Sequence, residues 1–238
     1  MQRLLLESVD STNAEGLRRA AALDAPLWIL AGEQTAARGR RMRPWTSPRG
    51  NFHGSLVRRI HEPPGRLALR SFVAALALHD AFRALGVAES RLALKWPNDV
   101  LLDGAKISGI LLEAAGDVLA IGIGINLVAA PPVRALEKGA LPGIALLEAT
   151  GLRPGSEGML DRLAPAMERH EERLCREGFA PVRAAFLERA ARLGQKIRVR
   201  TGGPDREGIF ESIDPDGNLL LRCADGSVEA IAAADVFF

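Results

Sequence analysis

Residues 91–128 read RLALKWPNDVLLDGAKISGILLEAAGDVLAIGIGINLV, and they contain four short apolar segments in close succession. The second and third segments are separated by Asp103 and Gly104, a dipeptide that favours tight two-residue hairpins. Such hairpins place consecutive strands side by side in antiparallel pairs. This stretch therefore predicts an antiparallel sheet.

Strand and helix patterns continue on both sides of this stretch. Before it, residues 11–23 and 71–86 have helical character, whereas residues 27–35 and 51–60 read as strands. After it, a Pro-rich joint at 129–133 leads to two helical stretches separated by Gly178. From Gly194 onward, short alternating strands are separated by the turn signals GGPD, DPDG and ADG.

These patterns predict an α/β (α+β) fold with two parts. Residues 1–192 are expected to form a mixed, mostly antiparallel sheet flanked by helices. Residues 193–238 are expected to form a small C-terminal β-barrel, which is too small to be very stable alone and therefore docks on the rest.

The composition is that of a globular protein. Hydrophobic residues make up 47% and charged residues 25% of the 238 residues, and the formal net charge is +2. No apolar run reaches the roughly 18 residues of a membrane span, and the first residues do not read as a secretory signal. Cys175 and Cys223, the two cysteines, form no metal-binding or disulfide pattern. We therefore expect a cytoplasmic protein that does not bind a membrane.

The segment ARGRRMRPW, residues 37–45, places four arginines around Gly39 in a region without strand or helix periodicity. It admits three interpretations: a solvated surface loop, a nucleic-acid patch, or a loop that wraps a phosphate. The near-neutral net charge and the scarcity of nearby aromatic residues argue against nucleic acid. Glycine lets a backbone approach a ligand closely, and arginine offers forked donors that match phosphate oxygens. Spacing alone favours the surface loop and the phosphate loop equally and leaves a nucleic-acid patch as the weaker third interpretation.

The segment KWPND, residues 95–99, suits a turn at the end of a strand, and a simple turn is its plainest interpretation. The chain has only four lysines, at positions 95, 106, 138 and 196. The hairpin at Asp103 and Gly104 would bring Lys106 beside Asp99. A carboxylate able to hold a divalent cation and a lysine able to neutralise a phosphate would then share one site.

Several catalytic motifs are absent from the sequence. GIGIN, residues 122–126, lacks the further glycine and the helix of a dinucleotide-binding fingerprint. There is no G-x-x-x-x-G-K-[ST], G-x-S-x-G or H-E-x-x-H sequence, and the four histidines are scattered. The sequence therefore argues against enzyme classes that depend on a nucleophilic or acid–base side chain.

Five motifs in order, STN (11–13), EQTAARGRRMRPW (33–45), KWPNDVLL (95–102), AKISGILLE (105–113) and GIGIN (122–126), resemble those of the biotin protein ligases. The segment EGIFESIDPDGNLLL, residues 207–221, resembles the small C-terminal barrel of that family. The resemblance covers nearly the whole chain, and it implies a class II synthetase-like ligase domain followed by the small barrel.

The resemblance implies a two-step reaction. Biotin and ATP first give biotinyl-5'-adenylate and pyrophosphate, and the biotinyl group then passes to a lysine of a carboxylase's biotin carboxyl carrier domain. ATP and Mg²⁺ are the implied cofactors, and biotin and the carrier domain are the implied partners. Arginines, a lysine and Mg²⁺ suit the negative charge that builds up in phosphoryl transfer. A glycine–arginine loop that orders over the reactive anhydride would exclude water from it.

The resemblance also assigns roles to individual residues. The implied catalytic residues are Lys106, Arg40 and Arg38. The implied biotin-binding residues are Ser11, Thr12, Asn13, Gln34, Arg38, Gly39, Arg40, Lys106, Gly109 and Ile110. The implied nucleotide-binding residues are Arg41, Trp45, Lys95, Asn98 and Asn126, and the implied metal ligand is Asp99.

The sequence departs from the family pattern at a few positions. Ala37 and Met42 stand where the family has glycine, and a methionine at position 42 would be strained if the loop needs a positive φ there. NFHGS replaces the usual NLYLS and puts His53 near the pocket without a clear role. These departures leave two rivals open: a lipoate or octanoate ligase or transferase, and a non-catalytic protein that binds biotin or its adenylate.

The sequence begins directly with the ligase motifs, so we expect the monofunctional form of the family. A DNA-binding module and a repressor function, and hence a nucleic-acid partner, are not expected. The sequence leaves a homodimer open.

Overall fold

The computed structural model describes residues 2–132 and 141–238. Its strands are β1 (Gln2–Val9), β2 (Leu27–Gln34), β3 (Phe52–Arg59), β4 (Leu92–Lys95), β5 (Asp99–Leu102), β6 (Ala105–Ala115), β7 (Val118–Ile125), β8 (Lys196–Arg200), β9 (Arg206–Ile213), β10 (Leu219–Arg222), β11 (Val228–Ile231) and β12 (Asp235–Phe237). Its α-helices are α1 (Thr12–Arg18), α2 (Pro64–Ala68), α3 (Arg70–Ala84), α4 (Leu146–Thr150), α5 (Gly155–Glu177) and α6 (Phe179–Leu187). Of the sequence features above, Lys138 and the last residue of the Pro-rich joint, Val133, lie outside the described residues.

The large sheet contains β1–β7 in the order β1-β2-β3-β7-β6-β5-β4. Strands β1 and β2 are parallel, and the remaining neighbours are antiparallel. Asp103 and Gly104 connect β5 to β6 with φ angles of 51° and 79°, as a tight hairpin with two left-handed residues requires. The prediction of a mixed, mostly antiparallel sheet is confirmed.

Helices cover both faces of this sheet. Successive residues of a strand face opposite sides, so Phe52 and Leu56 of β3 join the main core with α3 and α5, whereas Val57 joins a smaller cluster beside α1. Phe72 of α3 packs edge-on against Phe179 and Phe186 of α6. The α1 side also carries residues 53 and 55 of β3, and the cavity described below opens there. No helix of the described part of the chain has the length and apolarity to cross a membrane.

The C-terminal strands form a separate antiparallel sheet in the order β11-β10-β9-β8-β12. The predicted small C-terminal β-structure is confirmed, but it is not closed into a barrel, because β11 and β12 are its two edges and do not pair with each other. Strand β12 has three residues and pairs with β8 alone, so the sheet stays open. The small sheet docks on the part of the chain that carries the large sheet, where Trp96 Nε1 donates to the Gly217 carbonyl at 3.0 Å.

Candidate functional site

A cavity of about 360 Å³ opens on the α1 side of the large sheet. Its walls come from the start of α1, the loop after β2, the turn between β4 and β5, strands β6 and β7, and β12. The predicted site residues that line it are Ser11, Thr12, Asn13, Gln34, Arg38, Gly39, Arg40, Trp45, Lys95, Asn98, Asp99, Lys106, Gly109, Ile110 and Asn126. The remaining predicted residue, Arg41, is exposed and is not part of the lining, although its Nη1 donates to Asp235, which does line the cavity.

One corner of the cavity is a network of hydroxyl and amide groups around the start of α1. Ser11 is the N-cap of this helix. Thr12 donates twice to Gln34 Oε1, from its backbone nitrogen at 2.8 Å and from Oγ1 at 3.1 Å. Ser55 Oγ lies 2.7 Å from Thr12 Oγ1 and 2.6 Å from Asn13 Oδ1. The corner is therefore held rigidly and presents neutral polar groups to a ligand.

Glu113 connects this corner to the arginine-rich loop. Its Oε2 accepts from Asn13 Nδ2 at 2.9 Å, and its Oε1 accepts from Arg38 Nη2 at 2.7 Å. Arg38 Nε donates to the same oxygen at 3.1 Å. One carboxylate of β6 thus fixes both a polar side chain of the corner and a guanidinium at the cavity wall.

Arg40 lies between the large domain and β12. Its Nη1 donates to Asn98 Oδ1 at 3.2 Å and to the Ala234 carbonyl at 3.3 Å. Burial lowers the pKa of Arg40, and this effect outweighs the opposing influence of Asp235 and Asp99. The guanidinium remains charged, because an arginine pKa begins far above neutral pH. A partly desolvated cation in a cavity wall is a strong partner for an anionic ligand.

Asp235 of β12 anchors the exposed side of the same loop. Its Oδ2 accepts from Arg41 Nη1 at 2.6 Å and also from Arg43 Nη2. The loop backbone is left-handed at two successive residues, with φ of 56° at Arg41 and 60° at Met42. The expected strain at position 42 is confirmed, since a left-handed residue with a side chain costs about 1–2 kcal/mol. Met42 itself is 71% exposed.

The indole of Trp45 lies flat against two glycines of the sheet. A Cβ on Gly124 would lie 2.6 Å from Trp45 Cε2, and one on Gly109 would lie 3.1 Å from Trp45 Cζ3. Gly109 and Gly124 face each other across β6 and β7. Lys106 Nζ is 5.3 Å from the centre of the indole ring. The two glycines therefore make room for a ring that forms part of the cavity wall.

Two lysines and one aspartate form the charged centre of the cavity. Lys106 Nζ is 2.7 Å from Asp99 Oδ1, and Lys95 Nζ is 3.7 Å from Asp99 Oδ2. Burial alone would raise the pKa of Asp99, but the two lysines outweigh it and hold that pKa below its ordinary value. Burial lowers the pKa of Lys95. The predicted approach of Asp99 and Lys106 is confirmed.

A β-bulge gives Lys106 its direction. Leu101 pairs with Lys106, but Asp99 pairs with Gly109, so the register shifts by one residue between these pairs. Without the shift, residues 106 and 109 would face opposite sides of the sheet. With it, Lys106 and Gly109 share the cavity face, and a Cβ on Gly109 would lie 3.3 Å from Lys106 Nζ.

The backbone around Lys106 is held by two asparagines. Asn126 is buried, and its Nδ2 donates to the Lys106 carbonyl at 3.3 Å. Asn98 Nδ2 donates to the Ile110 carbonyl at 2.8 Å, and the Ile110 nitrogen donates to the Asn98 carbonyl at 2.9 Å. These asparagines line the cavity and also fix the position of β6.

Asp99 does not fit the role of a resident metal ligand in this arrangement. A divalent cation would have to displace the ammonium groups of Lys106 and Lys95 from its oxygens. Within residues 2–132 and 141–238, no three His, Cys, Asp or Glu side chains are grouped as a metal site. Asp99 acts instead as the counter-ion that holds the two lysines.

The sequence interpretation missed several residues that build the site, among them Ser55, Glu113 and Asp235. Glu113 ends the quoted motif AKISGILLE, so its presence there was a usable signal. Ser55 ends NFHGS, which drew attention only as a departure from the family pattern. Asp235 lies 192 positions after Arg43, and no spacing rule connects the two.

Replacing Asp235 with asparagine is expected to loosen the arginine-rich loop. Arg41 and Arg43 would lose a shared charged partner, a change of about 1–2 kcal/mol in the order of this loop. Trypsin cleaves after arginine, so limited proteolysis should nick the loop about 5- to 30-fold faster than in the wild type.

Glu229→Gln is the matched control, because it removes another carboxylate–arginine pair of the same sheet. Glu229 lies on the opposite edge strand, β11, 2.5 Å from Arg206. We expect its loop cleavage to equal that of the wild type. Equal cleavage of Asp235→Asn and Glu229→Gln would show that Asp235 does not hold the loop.

Two family models match the chain. The Biotin/lipoate A/B protein ligase family model matches residues 5–127, and the Biotin protein ligase C terminal domain model matches residues 193–238. The chain is 49% identical, over 98% of its length and 99% of the relative's, to a biotin--[acetyl-CoA-carboxylase] ligase of Paracoccus denitrificans.

Solved structures agree in fold. A biotin protein ligase from Aquifex aeolicus in complex with biotin and ATP superposes with a TM-score of 0.82 at 24% identity, covering 99% of this chain and 97% of that one. A biotin protein ligase from Leishmania major in complex with biotinyl-5-AMP superposes with a TM-score of 0.67 at 28% identity, covering 98% and 99%.

Proposed function

The chain belongs to the biotin protein ligase family, and from this premise we propose that it activates biotin with ATP and transfers it to a lysine of a carboxylase's carrier domain. The observation that carries the proposal is the cavity, which combines a neutral polar corner with a cationic centre. The relative from Paracoccus denitrificans is named for this activity, and the structure from Leishmania major contains the adenylate.

In the first step, an oxygen of the biotin carboxylate attacks the α-phosphorus of ATP. A new P–O bond forms, the bond to the β-phosphate oxygen breaks, and pyrophosphate leaves with the bonding electrons. The reacting groups are all anionic, so the enzyme has to reduce their repulsion and stabilise charge on the phosphoryl oxygens. A set of fixed cations meets this requirement.

The cavity supplies such cations at defined positions. Lys106, beside Asp99, acts between the carboxylate and the α-phosphate. Arg38 and Arg40 neutralise the same region from the loop, and both are held by hydrogen bonds before a ligand arrives. Lys95 supports the phosphate side. Groups that are already oriented need little rearrangement in the transition state.

In the second step, the amine of the carrier lysine attacks the acyl carbon of the adenylate. An amide bond forms, AMP leaves, and a proton is released from the amine nitrogen. No side chain of the enzyme becomes covalently attached, which suits a site without a nucleophile. The arginine-rich loop and Trp45 shield the anhydride from water until the carrier arrives.

The neutral corner binds the uncharged part of biotin, through Ser11, Thr12, Asn13 and Gln34. Gly109 and Ile110 form the neighbouring floor, and Gly39 lets the loop approach. Trp45 and Asn126 form the nucleotide side. Arg41 holds the loop to Asp235, and its nucleotide-binding role stays a prediction.

Magnesium would enter with the phosphates of ATP, because Asp99 is occupied by two lysines. The division into a ligase domain (1–192) and a C-terminal domain (193–238) stays a prediction. The cytoplasmic location, the lack of a nucleic-acid partner and a homodimer also remain to be tested.

The decisive experiment incubates the protein with ATP, Mg²⁺ and one labelled acid, which is biotin, octanoate or lipoate. Labelled biotinyl-adenylate, and label on an added carrier domain, are expected with biotin alone. Turnover of octanoate or lipoate without turnover of biotin would reassign the substrate. Binding of biotin without adenylate formation would identify a non-catalytic binding protein.

A further inference from the structure

Trp45 Nε1 and His53 Nδ1, on the cavity side of the sheet, are buried and have no hydrogen-bond partner among the described residues. Buried polar atoms are usually paired, so an unpaired one needs an explanation. The indole nitrogen of tryptophan is only ever a donor. The role of His53 depends on which of its ring nitrogens carries the proton.

The contact of His53 with Pro48 shows which ring nitrogen of His53 carries the proton. His53 is 1% exposed, and its Nε2 lies 3.1 Å from the Pro48 carbonyl oxygen. A carbonyl oxygen only accepts, so Nε2 carries the proton and donates it. Burial lowers the pKa of His53 and keeps the ring neutral. Its Nδ1 is therefore a free acceptor.

The N–H end of the indole lies on the side of the sheet order where β3, the strand that carries His53, follows β7. Cζ3, at one end of the Trp45 ring system, lies over Gly109 of β6, whereas Nε1 would be 2.7 Å from a Cβ on Gly124 of β7. The long axis of the ring thus crosses from β6 to β7, and its N–H end lies over β7. The next strand in that direction is β3, and its residue opposite Gly124 is His53. Opposed residues of neighbouring strands have Cβ atoms about 4.5–5.5 Å apart.

We propose that His53 is a positioning residue for Trp45: Trp45 Nε1–H donates to His53 Nδ1 when the arginine-rich loop closes over the nucleotide. The bond pairs a donor and an acceptor that are otherwise both unsatisfied, and it fixes the plane of the ring that faces the ligand. The inference rests on the proposed function for the nature of that ligand.

Two substitutions of His53 separate this role from the contact with Pro48. His53→Asn keeps an acceptor close to the Nδ1 position and loses the bond to Pro48. His53→Gln keeps a donor close to the Nε2 position and loses the acceptor at Nδ1. We expect His53→Gln to raise the KM for ATP about 3- to 10-fold with a smaller change in kcat, and His53→Asn to stay near the wild type.

Nuclear magnetic resonance of the full ¹⁵N-labelled chain tests the bond directly. The three tryptophans, at positions 28, 45 and 96, each give one indole N–H signal. The signal that is missing from the spectrum of Trp45→Phe belongs to Trp45. With saturating biotinyl-adenylate, we expect a downfield shift of this signal and a scalar coupling across the hydrogen bond to His53 Nδ1. His53→Gln should abolish the coupling.

The opposite results would overturn the inference. These are the absence of the coupling in the saturated wild-type protein, or a KM for ATP that rises in His53→Asn and not in His53→Gln. A failure of the proposed function would look different, because the adenylate would then shift no signal of the wild-type chain and no adenylate would form in the activity assay.

Discussion

Replacing Lys106 with alanine is expected to slow biotinyl-adenylate formation about 10²- to 10³-fold. The substitution removes the ammonium group that lies 2.7 Å from Asp99 at the centre of the cavity. It also leaves the carboxylate of Asp99 with Lys95 as its nearest cation, at 3.7 Å, so the centre becomes more negative where two anions must meet. Single-turnover formation of labelled adenylate measures the effect.

The matched control is Lys196→Ala. Lys196 is 69% exposed in the C-terminal sheet and pairs with Glu207 at 2.6 Å, so its removal deletes a lysine–carboxylate pair outside the cavity. Wild-type rates are expected for this variant. Lys106→Arg restores the charge but not the shape of the ammonium, and only partial recovery is expected. Undiminished adenylate formation in Lys106→Ala would remove Lys106 from the catalytic role.

Replacing Arg70 with methionine is expected to lower the free energy of unfolding by about 3–5 kcal/mol. Arg70 is 1% exposed at the start of α3, and its guanidinium donates to Glu62 at 2.6 Å and to Glu171 at 2.9 Å. Without it, the buried carboxylate of Glu171 would keep Arg58, at 3.9 Å, as its nearest arginine. The urea midpoint of unfolding measures the loss, with the slope used to check that unfolding remains two-state.

Two further variants show whether the stability loss of Arg70→Met comes from the buried ion pair. Arg66→Met removes a neighbouring arginine that is 52% exposed, and it should change stability by less than about 0.5 kcal/mol. The double variant Arg70→Met/Glu171→Met removes the buried pair together, and it should regain much of the loss. None of these residues lines the cavity, so adenylate formation per folded molecule should stay constant. An unchanged urea midpoint in Arg70→Met would contradict the assignment of a buried ion pair.

The local signals in the sequence were sufficient for the hairpin at Asp103 and Gly104 and for the neighbourhood that it creates. A tight turn fixes which strands pair, so the closeness of Asp99 and Lys106 follows from the turn residues. The bulge that turns Lys106 and Gly109 to one face has no such signal. A shift by one residue depends on how both strands pack, and several registers are compatible with the same apolar pattern.

The contribution of β12 could not be predicted, because it depends on the docking of one sheet against another. Asp235 contacts Arg41 and Arg43 where the small sheet lies against the rest of the chain, and the bond from Trp96 to the Gly217 carbonyl belongs to the same docking. The open edge of the small sheet has a similar cause. Turn signals indicate how many strands there are, but they do not indicate whether the two edge strands pair and close the sheet into a barrel.

At position 42, in contrast, the sequence pattern did indicate the backbone conformation. The pattern of related sequences indicated a glycine there, and the left-handed backbone at Met42 explains why glycine would suit it. The neighbouring Arg41 shares this conformation although its type gave no warning. The loop therefore keeps the expected path with an unfavourable residue, and anchoring by Asp235 offsets part of that cost.

The cavity takes its walls from both extremes of the sequence, from Ser11 at the start of α1 to Phe237 in β12. A chain cut before Ala234 would lack both Asp235 and the Ala234 carbonyl, and its arginine-rich loop would lose the contacts that hold Arg40 and Arg41 beside the cavity.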